Sequence, residues 1–319
     1  MPASVPPLPR LSLALQGGGA HGAFTWGVLD RLLEEPSLAI DGISATSSGA
    51  MNALALAQGW LEGGRDGARA KLEALWDAIT ETSSIMRWPF AIAPVAGAGA
   101  MLAAWTHYFA PEQINPLGLN PLRGVGERLF DFERLREHAP FKLFVAATRV
   151  RDGALMLFGN AELTIDAMLA STCLPQLFPP VVIDGVTYWD GGYAGNPALE
   201  PLVYRCDAAH LVCVLVQPLV AARVPSNARE IAERIAELGF STTFLREYDS
   251  LIHAQAALRN SLPLSALGRR MKSLRLHLIE PGDSIAEFHA KTRLNAQRGL
   301  LLELRELGRA ACAAWLAAR

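Results

Sequence analysis

The sequence predicts an α/β protein of three layers, α/β/α, with helices on both faces of a mostly parallel central sheet. Three observations predict it. Short apolar runs such as Leu11–Leu15 and residues 210–217 have strand length and no polar face, as strands buried on both sides do. Stretches with apolar residues at helical spacing separate these runs, so strand and helix alternate. The chain has 319 residues, 51% hydrophobic and 19% charged, enough apolar material for a large core and too little charge for long disordered arms.

Each element follows in order. Residues 1–10 carry prolines and read as a flexible leader, without the cleavage site of a signal peptide. Leu11–Leu15 is a buried strand. Residues 22–34 form a helix with a stripe at Phe24, Val28, Leu29, Leu32 and Leu33. Ile43–Thr46 is a short strand, 50–58 a helix apolar nearly all round, and 71–80 another helix. Residues 84–125 are aromatic, irregular and rich in Pro and Gly; prolines and glycines make 88–105 a poor membrane span despite its apolar length. Residues 141–150 and "ALMLFG" pair as strands, and "LTIDAMLASTC" is a helix. "PVVIDGVTYWDGG" is a hairpin turning at Asp184-Gly185. Residues 210–217 form a buried strand, 227–258 are mostly helical, 274–281 form a last strand, and 284–318 a final helix, interrupted near Gly299.

Net charge is −2, from 29 Lys+Arg and 31 Asp+Glu, so no basic excess points to nucleic acid. Cys173, Cys206, Cys213 and Cys312 lack CxxC spacing and read as reduced thiols of a cytoplasmic protein. No His/Cys cluster or calcium loop implies a metal, and none is expected. Oligomeric state is not legible.

Three stretches carry chemistry. In "LALQGGGAHG", Gly17, Gly19 and Gly22 fit G-x-G-x-x-G between a strand and a helix. Such a turn holds a dinucleotide pyrophosphate or an oxyanion equally well, because both use backbone N–H groups at a helix start. Asp41 stands where a ribose-binding acid belongs, which supports a nucleotide. In "ATSSGA", Ser47 sits between small residues where a strand meets a helix, the setting of a nucleophile elbow. The elbow pattern is G-x-S-x-G, with Gly49 in place and Ala45 where glycine is usual. Ser48 supplies the N–H after the nucleophile; an ordinary N-cap serine is the competing reading. In "YWDGGYAGNP", Asp190 closes a strand before Gly191 and Gly192, and the turn of that hairpin is already supplied by Asp184-Gly185.

Together, "GGGAHG" (17–22), "ATSSGAMNA" (45–53), "ASTCLPQLFPPV" (170–181) and "YWDGGYAGNP" (188–197) resemble the patatin-like phospholipase family over residues 11–217. The resemblance implies a patatin-like fold and a Ser–Asp dyad. Ser47 would be the nucleophile and Asp190 the base. Gly17, Gly18 and Gly19, with Ser48, would form the oxyanion hole, supported by Gly22, Ala45, Gly49, Gly191 and Gly192. His21 stands where the family often has arginine; it is an accessory candidate or a structural histidine.

Residues 11–217 would then be the catalytic domain, 84–125 a hydrophobic lid or acyl channel, and 218–319 a mainly helical extension packed on the same domain. The expected partner is a lipid or ester substrate, with peripheral contact at a membrane or lipid surface, and no cofactor is expected. A triad through His277 or His289 is the alternative to a dyad. The same dyad would serve a thioesterase or a depolymerase of stored polyhydroxyalkanoate. A nucleotide-binding oxidoreductase and a non-catalytic lipid-binding module are the readings from other classes.

Overall fold

The glycine turn and the serine elbow both lie at the carboxyl edge of one sheet. The computed structural model describes residues 9–91, 120–220, 224–282, 292 and 295–319. Its eight strands are β1 (Leu11–Leu15), β2 (Ile40–Thr46), β3 (Lys142–Arg149), β4 (Leu155–Gly159), β5 (Val181–Ile183), β6 (Val186–Asp190), β7 (His210–Val214) and β8 (Arg275–Ile279). The order is β5-β6-β3-β2-β1-β7-β8, with β4 also on β3. From β3 to β8 the neighbours along this path run parallel, while β4, β5 and β6 pair antiparallel. The expected mostly parallel α/β sheet is observed. Asp184 (φ 50°) and Gly185 (φ 77°) turn the β5–β6 hairpin with both residues left-handed.

Strand residues alternate between two cores. Leu11, Leu13, Leu15, Val212 and Val214 face one, and Ala14, Leu211, Cys213 and Leu215 face the other. Over the first pack α1 (Gly22–Leu32), α2 (Ser48–Ala91), α3 (Pro121–Leu129), α4 (Phe132–His138), α5 (Ile165–Ser171) and α9 (Arg298–Ala317). Over the second pack α6 (Glu200–Tyr204), α7 (Ala228–Leu258) and α8 (Ala266–Ser273). The final helix crosses α1 at glycine contacts. A Cβ on Gly27 would sit 1.9 Å from the Arg305 carbonyl oxygen, and one on Gly308 2.0 Å from that of Phe24. Nearby, buried Asp30 takes an ion pair from Arg69 at 2.7 Å and others from Arg305 and Arg309. Burial alone would raise its pKa, but the Arg69 hydrogen bond and the three charges hold it below the usual range.

Several expectations change. The helices expected at 50–58 and 71–80 belong to one α2, bent at Gly63 and Gly64, where φ is −162° and 60°. Of the final helix expected over 284–318, Arg298–Ala317 is helical and residues 295–297 are not, while 284–291 and 293–294 lie outside the described residues. The helices α3, α4, α6 and α8 had no counterpart in the sequence reading. At five to nine residues they carry at most about two and a half turns, too few to display a period. Of the 84–125 lid, residues 92–119 lie outside the described residues, as does His289. Among the described residues no helix is long and apolar enough to cross a membrane.

Candidate active site

Ser47 occupies the single residue between β2 and α2. Its φ of 53° is left-handed, which a non-glycine residue adopts rarely and at an energetic cost. The neighbours enforce it. The Ser47 N–H donates to Ser171 Oγ at 2.9 Å, and its carbonyl accepts from Met51 N–H at 3.1 Å. Close contacts explain the small residues around it. A Cβ on Gly49 would lie 2.4 Å from the Leu15 carbonyl oxygen, and one on Gly17 2.6 Å from Ser47 Cβ. Ala45 is a β2 residue paired with Leu15 and Val145, and its methyl is buried in the core.

Register brings Asp190 to this elbow. β4 occupies one edge of β3 along Phe144–Thr148. β2 and β6 must therefore share the other edge. β2 runs along it to Thr46↔Ala146, and β6 takes over at Asp190↔Ala147. Asp190 thus follows Thr46 along the edge of β3, where the chain of β2 has just turned out at Ser47. The Asp190 backbone is held on both sides: its N–H donates to Cys173 O at 2.7 Å, and its carbonyl accepts from Thr148 Oγ1 at 2.8 Å.

The Asp190 carboxylate is fully buried. Its Oδ1 accepts from Gly192 N–H at 2.7 Å, and Oδ2 has no conventional hydrogen-bond partner among the described residues. Burial pushes its pKa up to about 7, against smaller downward pulls from the Gly192 N–H and then the Ser47 side chain. A carboxylate so placed binds and releases a proton near neutrality, as a general base must. The adjacent Cys173 is pushed up to about 12 by burial and by the Asp190 charge, so it stays a thiol.

The glycine turn lies against the elbow, and its donors divide. The Gly17 N–H is committed to Asn196 Oδ1 at 2.7 Å, and the Gly18 N–H to Ser48 Oγ at 3.0 Å. Among the described residues no acceptor meets the N–H of Gly19 or of Ser48. Of the four expected donors, Gly17 and Gly18 are therefore already bonded, and Gly19 and Ser48 are not. Gly19 has φ 60° and opens the single 3-10 turn that precedes α1. Gly22, Gly191 and Gly192 are close-approach positions: Cβ atoms there would meet Ser48 Oγ at 2.5 Å, Ala146 O at 2.3 Å and the Phe240 ring at 2.1 Å. His21 is buried, with Nε2 2.7 Å from Thr292 Oγ1, so it ties the turn to the segment before α9.

Two expected alternatives find no support in this geometry. Asp41 is the second residue of β2, at the opposite end from Ser47, about 20 Å away at 3.3 Å per residue. It accepts from the backbone N–H groups of Asp207 and Ala208 and pairs with Arg10 at 2.8 Å, so Asp41 does not lie beside the turn as a ribose acid would. His277 lies in the middle of β8, its Nε2 2.9 Å from His210 Nδ1 and its ring against Trp315. Burial depresses its pKa to about 4, with His210 a further cause. A cavity of ≈ 230 Å³ near Arg123, Leu169 and Phe178 is not lined by Ser47, Asp190 or the glycine turn.

Three residues escaped the sequence reading. Ser171 binds the elbow. Asn52 donates to Gly22 O (3.0 Å) and Ser48 O (2.9 Å), joining the starts of α1 and α2. Asn196 binds Gly17. A lone Asn in the apolar run 50–58 was a readable signal, since a buried amide needs partners; Asn196 in "AGNP" looked like any turn.

Comparison with known proteins follows this geometry. The family model described as Patatin-like phospholipase matches residues 13–203. A search of curated proteins found no match. Among solved structures, VipD from Legionella pneumophila is 15% identical with a TM-score of 0.47, covering 98% of this chain and 67% of its own. The full-length SpcU–ExoU complex from the type III secretion system of Pseudomonas aeruginosa gives 17% identity and a TM-score of 0.27. That match covers 95% of this chain and 53% of the other, so this chain spans about half its length. With more than half of its residues matched by one family model, the chain belongs to the patatin-like phospholipase family of lipid hydrolases.

Proposed function

We propose that this protein is a serine acyl hydrolase that cleaves carboxylic esters of lipids through an acyl-Ser47 intermediate, with Asp190 as general base and no third catalytic residue. The observation that carries this reading is the shared β3 edge, which brings a buried Asp190, with no cation paired to it among the described residues, near a left-handed Ser47.

The steps follow from the groups present. A serine hydroxyl is a poor nucleophile until a base removes its proton. Asp190 takes that proton as Ser47 Oγ attacks the ester carbonyl. The carbonyl oxygen becomes an alkoxide, toward which the Gly19 and Ser48 N–H groups are the available donors. The start of α2 adds its dipole. Protonated Asp190 then gives its proton to the departing alcohol, leaving acyl-Ser47. In the second half Asp190 deprotonates water, the new hydroxide attacks the acyl carbon, and Ser47 recovers its proton as the fatty acid leaves. Peripheral contact with a lipid surface suits such a substrate, and buried free cysteines suit a cytoplasmic setting.

Fluorophosphonate labelling tests the nucleophile. Wild type should be labelled at Ser47 and Ser47→Ala should not. Intact labelling of the variant would overturn the assignment. Probe-silent protein that still binds vesicles would instead indicate a lipid-binding module. A panel of phospholipids, monoglycerides, acyl thioesters and hydroxyalkanoate oligomers identifies the substrate.

A further inference from the structure

Asn196 is fully buried, and all its polar capacity is directed at two chain segments far from it. Its Oδ1 accepts from Gly17 N–H at 2.7 Å. Its Nδ2 donates to Gly17 O at 3.4 Å and to Phe240 O at 3.1 Å. This orientation satisfies one N–H and two carbonyls; the flipped amide would set an NH2 against an N–H and an oxygen against two oxygens. Gly17 in turn packs on Ser47, with room for no side chain between them.

Phe240 belongs to α7, beyond the residues matched by the family model. Its ring fills the space above Gly192, the residue whose N–H holds Asp190 Oδ1, and lies 4.7 Å from the Tyr193 ring. Two turns further along α7, Glu247 Oε2 accepts from Leu199 N–H at 2.9 Å. The segment from Gly192 to Leu199 is therefore gripped by α7 near both ends, with Asn196 at its centre. Thr46 Oγ1 donates to Gly195 O in the same segment at 2.7 Å, which ties it to the residue before Ser47.

We propose that Asn196 is a positioning residue for acyl transfer. It clamps the glycine turn against Ser47 and makes α7, through Phe240, part of the support of both the turn and the Asp190 loop. The proposal rests on the Ser47–Asp190 reading. Asn196 touches no reacting atom. Its loss should let Gly17 drift, and with it the unbonded Gly19 N–H assigned above to the oxyanion. A misplacement of about 1 Å costs on the order of a hundredfold in rate.

The test uses the full chain with Asn196→Ala, the isosteric Asn196→Asp and Phe240→Leu. Asn196→Ala should lower kcat on a soluble short-chain ester about a hundredfold, with KM within about threefold, and slow fluorophosphonate labelling of Ser47 in parallel. Asn196→Asp keeps the acceptor for Gly17 N–H but turns an oxygen toward two carbonyls, so it should lose about tenfold or more. Phe240→Leu keeps the carbonyl and should lose the least. Amide exchange by mass spectrometry should speed up over residues 16–22 in the Asn196 variants while β1, β2 and β3 stay protected. If Asn196→Ala fails to fold, Asn196→Asp decides. Asn196 variants with kcat within threefold of an active, Ser47-labelled wild type would overturn the positioning role and leave the dyad standing. A wild type with neither turnover nor label would overturn the dyad and the clamp together.

Discussion

The two ends of the central sheet each bury an aspartate, and they are built in opposite ways. At the amino end, Asp41 meets two backbone N–H groups and the cation of Arg10, with Lys142 3.9 Å away. At the carboxyl end, Asp190 accepts one backbone N–H, from Gly192, and no ion pair reaches it among the described residues. The first arrangement ties chain segments together. The second destabilises the charge and so keeps a proton exchangeable. Full burial is common to both, but only Asp190 lacks a cation partner among the described residues.

The largest effect should separate the two ends. Asp190→Asn preserves shape and the acceptor for Gly192 N–H, yet should lower ester turnover by about a thousandfold or more, because the base is gone. Asp41→Ala should leave turnover of the folded protein within about threefold. Comparable catalytic losses from both variants would break the contrast.

Acidity gives the next effect. With its pKa near 7, Asp190 is mostly protonated below neutrality, so kcat/KM should climb with pH and level off above about 7. Stability should respond in the opposite sense. The folded state holds this proton between about pH 4 and 7 while the unfolded chain does not, so the contribution is full below pH 4 and is lost as pH rises through 7. The difference in unfolding free energy between wild type and Asp190→Asn should shift by at most ~4 kcal/mol over that range. A flat difference in denaturant titrations at pH 4 and 8 would show that Asp190 is not a raised acid.

Asp41→Ala should cost about 2 kcal/mol, since it orphans the two N–H groups at Asp207 and Ala208. The smallest effect belongs to Ala45→Gly. Restoring the elbow's usual glycine should cost about 1 kcal/mol of stability through strand entropy and a lost core methyl, and leave turnover unchanged. A gain in turnover would mean that Ala45 does strain the elbow.

The local part of this protein was legible in its sequence. Strands buried on both faces, the left-handed Asp184-Gly185 turn and the strand–serine–helix junction at Ser47 each arise from residues adjacent in the chain, where apolar period and steric permission decide. Asn120, Asp131 and Ser265 cap helices that the reading missed, because one or two turns carry a cap but hardly a period. The short turn residues also left two ligands open, a pyrophosphate and an oxyanion, since the same bare N–H groups serve either.

Only the tertiary structure shows which turn donors are already bonded and how Asp190, which the family resemblance singles out, comes to lie near the elbow. Gly17 and Gly18 look equivalent to Gly19 in the sequence, yet Asn196, 179 residues from Gly17, occupies one N–H and Ser48 Oγ the other. Asp41 lies far closer to Ser47 along the chain than Asp190 does, yet a straight strand carries it to the far end of the sheet. Asp190 arrives because β6 continues the edge of β3 that β2 vacates at Thr46. Sequence sets the periods and turns of single elements; proximity across the chain is set by strand register, which depends on the whole sheet packing at once.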